Sequence, residues 1–304
     1  MPAGFGTPIC QEFRYITVDD LRADGFTEEE LPTPRANDLI VLASNWVNTL
    51  TQQWFLPVRL QQKVDGRNAA MAHHPLHLPI LDLFSLKLGR SDLFILDMPA
   101  IAYAVKPRYV QMMYHKGYLP TNPLFVILDG VFGWLENDFA PVRTTTTDQV
   151  SLGDTTIKVA DSTGISKGEV VLVGNDVAPA SGAMLVKAVN GNDLTIEAAQ
   201  FSCPSGVAAV KYGRVPRLIQ WAVMLMVKDK ITSVGMRGKD GDPDCPPWFC
   251  RRVTNESVEG YSYGLAQLPA QYGFGGGTWT TGNPEADDIL QQYAQPVVYV
   301  GNTG

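Results

Sequence analysis

No run of lysines or arginines occurs in this chain. The densest basic pair is Arg251-Arg252, and 24 Lys/Arg face 31 Asp/Glu for a formal charge of −7. A protein that grips nucleic acid through its phosphates normally carries a basic patch, so sequence-specific DNA binding is not expected. An acidic wall that DNA merely passes does fit that balance, because like charge prevents sticking. Long hydrophobic runs are also missing. The longest, residues 219–227, is too short to cross a bilayer and contains Gln220. The opening MPAGFGTPICQEF has neither a basic n-region nor an apolar h-region, so no secretory signal is read, and a soluble protein made in the cytoplasm is expected. Cysteine is scarce: Cys10, Cys203, Cys245 and Cys250. The even count allows two bridges, but a chain of this length does not need them.

What the chain does have is 28 glycines, 21 prolines and 45% hydrophobic residues in 304 positions. That is enough core for one large or two modest domains, with many turns. The expected fold class is α+β: a small helical-bundle core with β strands, plus an inserted all-β barrel or sandwich domain. Thr17 is a good N-cap, and Asp19 and Asp20 suit the first turn of a short helix that Gly25 ends. Thr27 and Glu30 repeat the signature at capping-box spacing. A longer helix is predicted over 35–53, with Leu39, Leu42, Ala43, Trp46, Val47 and Leu50 as its apolar stripe. From Phe55 the period becomes two, and Asp65-Gly66 signals a hairpin with a return strand near 69–72. Strands are read at 81–88, 93–96 and 125–128, whereas 100–105 and 109–114 suit strand or helix.

Residues 144–212 are rich in Ser, Thr, Val and Gly, with Asn190-Gly191-Asn192 as a strong hairpin turn. Helical sequence resumes at once with residues 217–231, whose Leu218, Trp221, Ala222, Leu225 and Met226 form a second stripe. The β segment is therefore an insertion. The expected division is 1–143 (core first half), 144–213 (inserted β-domain) and 214–304 (core second half with a docking tail). Residues 235–250 read as a Gly/Asp/Pro loop. Leu39, Leu42, Trp46, Leu50, Trp221 and Leu225 are the expected shared core, with Trp46 and Leu50 near Trp221 or Leu225. Asn283, Pro284 and the acidic Glu285, Asp287 and Asp288 open a last short helix.

Each chemical motif has a plainer reading. Gly260-Tyr261-Ser262-Tyr263-Gly264 fits the nucleophile-elbow pattern. However, no helix follows, and His73, His74, His77 and His115 all lie upstream, against the required order. His73, His74 and His77 are enough imidazoles for a zinc, but Pro75 and Pro79 surround them and no carboxylate is close, so a loop cluster is preferred. Asp240-Gly241-Asp242-Pro243-Asp244 starts like a calcium loop, yet it has Cys245 where glycine and Arg251 where glutamate should stand. Cys245 and Cys250 have no second pair at zinc-ribbon spacing. Gly275-Gly276-Gly277 follows no strand and opens no helix, which makes it a hinge rather than a phosphate cradle. The reading is therefore a protein with no catalytic residues, no cofactor and no metal.

The remaining motifs carry a resemblance. Tyr15-Ile16-Thr17-Val18-Asp19-Asp20-Leu21-Arg22, the helix after it, Trp54-Phe55-x-Pro57 and Val64-Asp65-Gly66 resemble the head-to-tail connector proteins of tailed double-stranded DNA phages. So do Glu256-Ser257-x-x-Gly260-Tyr261-Ser262-Tyr263, then Gly282-Asn283-Pro284-Glu285-x-Asp287-x-Ile289-Leu290, then Tyr293-x-x-Pro296. The likeness covers residues 15–90 and 214–297. The 90–140 elaboration and the β insertion depart from it. It implies a virion protein assembled in the host cytoplasm, with about twelve copies closing a ring by one heterologous contact. The implied partners are the portal protein, a tail-side completion or terminator protein and further copies of itself, with genomic DNA passing the lumen unbound. The β-prone tail, Pro296, Val297, Val298, Tyr299 and Val300, is expected to dock the portal by strand addition. The alternatives are a tail-side completion protein with a carbohydrate-binding β module, and a hydrolase using Ser262.

Overall fold

A computed structural model describes residues 12–65, 73–75, 79–91, 94–97, 103–106, 109–112, 125–136, 141–174, 181–240, 255–258, 261–264, 281 and 283–294. The fold is mixed α+β, with helices and antiparallel sheets. The chain forms two compact units. Residues 14–53 join 217–304 in one, and residues 1–13 join 54–216 in the other.

The first unit is helical. Helix α1 (Val18–Ala23) starts at Thr17, whose hydroxyl accepts from the Asp20 N–H, while the Asp20 carboxylate accepts from the Thr17 N–H at 2.7 Å. This reciprocal capping box satisfies two donors that the helix end would otherwise strand. The same device holds the following turn. Thr27 N–H donates to Glu30 at 3.0 Å, and Glu30 N–H donates back to the Thr27 hydroxyl. Arg22 ties this turn down. Its guanidinium donates to the carbonyls of Phe26, Thr27 and Leu31 and pairs with Glu28. Glu28 in turn caps Thr33 through both backbone N–H and hydroxyl.

Arg22→Ala is expected to lower the stability of this unit by about 2 kcal/mol, since charge-assisted hydrogen bonds contribute roughly 1.5–3 kcal/mol each and water replaces some of them. Chemical denaturation of the variant checks this. The Glu28 carboxyl sits below its ordinary range, chiefly because it accepts from the Thr33 backbone N–H, and Glu30 sits low through the Thr27 N–H. A depressed folded pKa means stabilisation that is present above the unfolded carboxylate range and lost as pH falls through the folded value. Glu28→Gln should therefore flatten the acid limb of the stability profile.

Helix α2 (Thr33–Thr51) starts two residues before the sequence reading places it. Pro34 sits within the first turn, where its missing N–H costs nothing. The helix ends at Gln52 in the left-handed conformation, φ 54°. Helix α3 (Arg217–Asp240) runs through Gly235 and Gly238, where the sequence suggests a loop; an interior glycine costs a helix only about 1 kcal/mol. Helix α4 (Pro284–Tyr293) begins as expected, with the Asn283 side chain accepting from the Ala286 N–H. Helices α2, α3 and α4 pack together, so the two long helices meet although residues 52–216 intervene.

The residues at their contact are not those named from the sequence. Leu42 and Trp221 are exposed, and Leu39, Trp46, Leu50 and Leu225 are only half-buried. The buried side of α2 is Ala36, Ile40, Ala43, Ser44 and Val47, and that of α3 includes Ile219, Ala222, Val223, Met226 and Val227. At 100° per residue the apolar arc of α2 spans about 200°, so spacing alone cannot choose which edge turns inward. The edge with alanines and β-branched residues does so, and it allows closer approach than the leucine and tryptophan edge.

The second unit is built on sheets. Strands β1 (Val58–Asp65), β7 (Phe125–Phe132), β3 (Ile80–Ser91) and β4 (Phe94–Asp97) form an antiparallel sheet in the order β1-β7-β3-β4. The partner of β1 is thus β7, from Val58↔Phe132 to Asp65↔Phe125, and not a strand returning from Asp65-Gly66. A contiguous apolar run pairs eight residues deep, which outweighs a local turn signal. Residues 66–72 lie outside the described residues. Phe55, Leu56, Val58, Leu86, Leu128 and Phe132 are buried. Strands β2 (His73–Pro75), β6 (Tyr109–Met112) and β5 (Tyr103–Lys106) form a small sheet, which resolves the ambiguous aromatic stretch as extended.

The same unit contains a closed six-stranded barrel. Strands β8 (Val142–Thr145), β13 (Ala208–Arg214), β10 (Glu169–Val173), β11 (Gly182–Asn190), β12 (Asp193–Ile196) and β9 (Thr156–Lys158) follow in that order. The Thr146↔Val159 bridge joins the two ends, with Ala160 N–H donating to Thr145 and Thr147 N–H donating to Lys158. The turn between β11 and β12 is Gly191-Asn192, with Gly191 at φ +59°. The core is a single apolar cluster including Val150, Ile157, Val171, Val186, Leu194, Ile196 and Phe201. Glu136 and Arg214 exchange two backbone hydrogen bonds, 2.9 and 3.0 Å, so the chain enters and leaves the barrel through one paired rung. The helical unit also holds a hairpin, β14 (Asn255–Val258) with β15 (Tyr261–Gly264).

Candidate functional site

Three polar strand residues of the sheet unit meet two from the barrel. Strand β3 has bulges between Ile80 and Asp82 and between Leu83 and Ser85, and bulges re-aim side chains. The Asp82 carboxylate accepts from the Tyr212 hydroxyl at 3.2 Å and pairs with Arg143. On the same sheet Arg59 pairs with Asp129 through both nitrogens and lies over the Phe84 ring, 4.5 Å from its centroid. Burial first, and then the Asp82 charge, push the Tyr212 hydroxyl well above the ordinary phenol range. Arg143 is held more firmly protonated by its hydrogen bond to Asp82.

The junction holds its charges in complementary pairs and brings no nucleophile against a base. What it can do is latch the barrel to the sheet. Deeper in the barrel, Lys211 donates to the Gly164 carbonyl at 2.7 Å and lies 3.4 Å from Glu169, both largely buried. None of these residues was singled out from the sequence. The available signal was a lone acid inside an apolar strand: Leu81-Asp82-Leu83-Phe84 and Ile127-Leu128-Asp129.

The motif residues do not converge. Ser262 lies within β15, its backbone paired with Ser257, and not on the strand-to-helix turn that a nucleophile elbow requires. His73 and His74 pair along β2 with Gln111 and Val110. His77, His115, Cys10, Cys245, Cys250, Gly275 and the tail residues Pro296, Val297, Val298, Tyr299 and Val300 lie outside the described residues. Cys203 is a buried free thiol whose pKa is raised by burial. Among the described residues no three His, Cys, Asp or Glu side chains gather closely enough to hold a metal ion, and no helix is long and apolar enough to cross a membrane.

The helical unit presents a different feature. Leu218 and Trp221 on α3 are 44% and 40% exposed, and Leu42 on α2 is 43% exposed. Trp221 is nonetheless fixed. Its indole N–H donates to Glu285 on α4 at 2.7 Å, and Lys228 sits over its ring while pairing with Asp24 at 2.6 Å.

No protein-family model matches the chain, and no curated protein matches it. Among solved structures, it is similar in part to the Gp54 tailspike of the Acinetobacter baumannii bacteriophage AP22, determined in complex with an A. baumannii capsular saccharide. That likeness has 18% identity and a TM-score of 0.21, and covers 23% of this chain and 15% of the tailspike. It is too slight to fix a fold or a role.

Proposed function

We propose that the protein is a structural connector of a tailed phage virion, a ring-forming adaptor between portal and tail. One observation carries this reading. The segments that resemble the connector family at the two ends of the chain, α1 with α2 and the β14–β15 hairpin with α4, fall in one compact helical unit. The 90–140 and 144–212 stretches, which depart from the family, belong to the other unit. Charge supports the same reading. The helical unit has ten Lys/Arg against sixteen Asp/Glu and the sheet unit fourteen against fifteen, so nearly all the net acidity belongs to the unit that carries the resemblance. Such a unit can border a DNA channel without holding the phosphates. The helices supply the ring contact, the portal and a tail-side completion protein are the partners, and genomic DNA passes unbound.

Negative-stain microscopy of the purified chain, alone and mixed with the portal protein of its own phage, tests the reading. Rings are expected in at least the mixed sample, with the chain comigrating with portal on sedimentation. A chain that stays monomeric and leaves portal unbound across micromolar concentrations would sink it.

A further inference from the structure

The side of α3 that faces solvent has the wrong composition for a surface that stays wet. Leu218, Trp221 and Leu225 stand at i, i+3 and i+7, on one side of the helix. The other side, from Ile219 to Val227, is already buried in the unit. A helix that is apolar all round belongs where both sides are covered, yet here Leu218 and Trp221 remain about two-fifths exposed.

We propose that this face docks an apolar, positively charged helical segment of another protein. Three observations set the occupant. The first is pre-organisation. Glu285 and Lys228 pin the Trp221 ring from two sides, and Asp24 pins Lys228. The ordering cost that a free tryptophan would meet on binding is therefore already met, and tryptophan is among the residues that dominate interface energetics. The second is size. Two large side chains two-fifths exposed, with half-buried Leu225 beside them, offer roughly 200 Å² if each carries 150–250 Å². A self-sufficient protein–protein interface takes about 800 Å² per partner. A patch this small matches one helix inserting its own i, i+3, i+7 anchors. The third is charge. The face belongs to the acidic unit, with ten Lys/Arg against sixteen Asp/Glu, and Asp24 and Glu285 lie within its network. A second copy presenting this same acidic unit is repelled, whereas a Lys/Arg-flanked segment is attracted. The inference stands independently of the connector reading.

The test is calorimetric titration of the full chain with two synthetic amphipathic helices of equal length. One alternates leucine and lysine faces, and the other leucine and glutamate. The leucine–lysine peptide is expected to bind and the leucine–glutamate peptide to fail. Trp221→Ala should weaken binding at least tenfold, and Trp221→Phe, which keeps a ring, by less. Leu218→Ser provides a second variant outside the hydrogen-bonded network, with circular dichroism to show that each variant folds. Equal binding of the two peptides, no binding of either, or undiminished binding by Trp221→Ala and Leu218→Ser overturns the proposal. Self-association of the full chain that Leu218→Ser abolishes also overturns it, because the occupant would then be a second copy.

Discussion

Gly133→Ala is expected to cost about 3–5 kcal/mol and to leave little folded protein at physiological temperature. The residue follows β7, where its N–H donates to the Pro79 carbonyl at 2.8 Å and the next N–H, of Trp134, donates to Trp54 at 2.6 Å. The chain is thereby stitched between two segments that carry the sheet's buried residues. A Cβ at this position would lie 2.5 Å from the Leu56 carbonyl oxygen, and the backbone holds φ at +153°. The obstructing atom is backbone, so relief requires moving a strand end. Overpacking of this kind costs about 1–3 kcal/mol, and the unfavourable backbone conformation adds about 1–3 kcal/mol. Gly153→Ala separates the two contributions. Gly153 has φ +91° with nothing within 4 Å of the added carbon, so it should cost only the conformational part. Guanidinium denaturation of both variants decides the matter, and equal losses would remove the steric argument.

The second large effect is expected at the junction. Asp82→Ala should destabilise the sheet unit by about 3 kcal/mol, because it leaves the buried Tyr212 hydroxyl without its acceptor and Arg143 without its counter-charge. Arg143 is more than half exposed and rehydrates, so most of the loss falls on Tyr212. A double-mutant cycle with Tyr212→Phe should show coupling of at least about 1 kcal/mol; additive losses would mean that the contact is incidental. Alkali provides an independent measurement. The folded pKa of Tyr212 is raised, so its contribution is intact below the ordinary phenol range near 10 and is lost as pH climbs past it toward the folded value. Tyr212→Phe should lose less stability between about pH 9 and 11 than the parent chain.

Local signals in the sequence survived folding well. Thr17, Thr27 and Asn283 cap as their side chains dictate, because capping is settled within four residues. Gly191 makes its turn for the same reason. Non-local choices were not legible. Asp65-Gly66 announces a hairpin, but β1 pairs instead with a strand sixty residues away, and nothing near Asp65 encodes that. The outward stripe on α3 misled for a related reason. Leucine and tryptophan at helical spacing are the commonest sign of core, and only the positions of α2 and α4 reveal that the helix uses its other side. Asp82, Arg143 and Tyr212 lie far apart in sequence, and each reads as ordinary until the strands align them.

The bridge between Thr146 and Val159 has a consequence for crowding. An open sheet presents a row of unpaired amides and carbonyls that recruits the strands of neighbouring molecules, and edge-to-edge aggregation is the usual result. A barrel sealed end to end has no such row to offer. Many copies can then stand shoulder to shoulder without their β modules fusing. Whatever this barrel touches, it must meet through the side chains of its turns, Leu152 foremost at 70% exposure, rather than through its main chain.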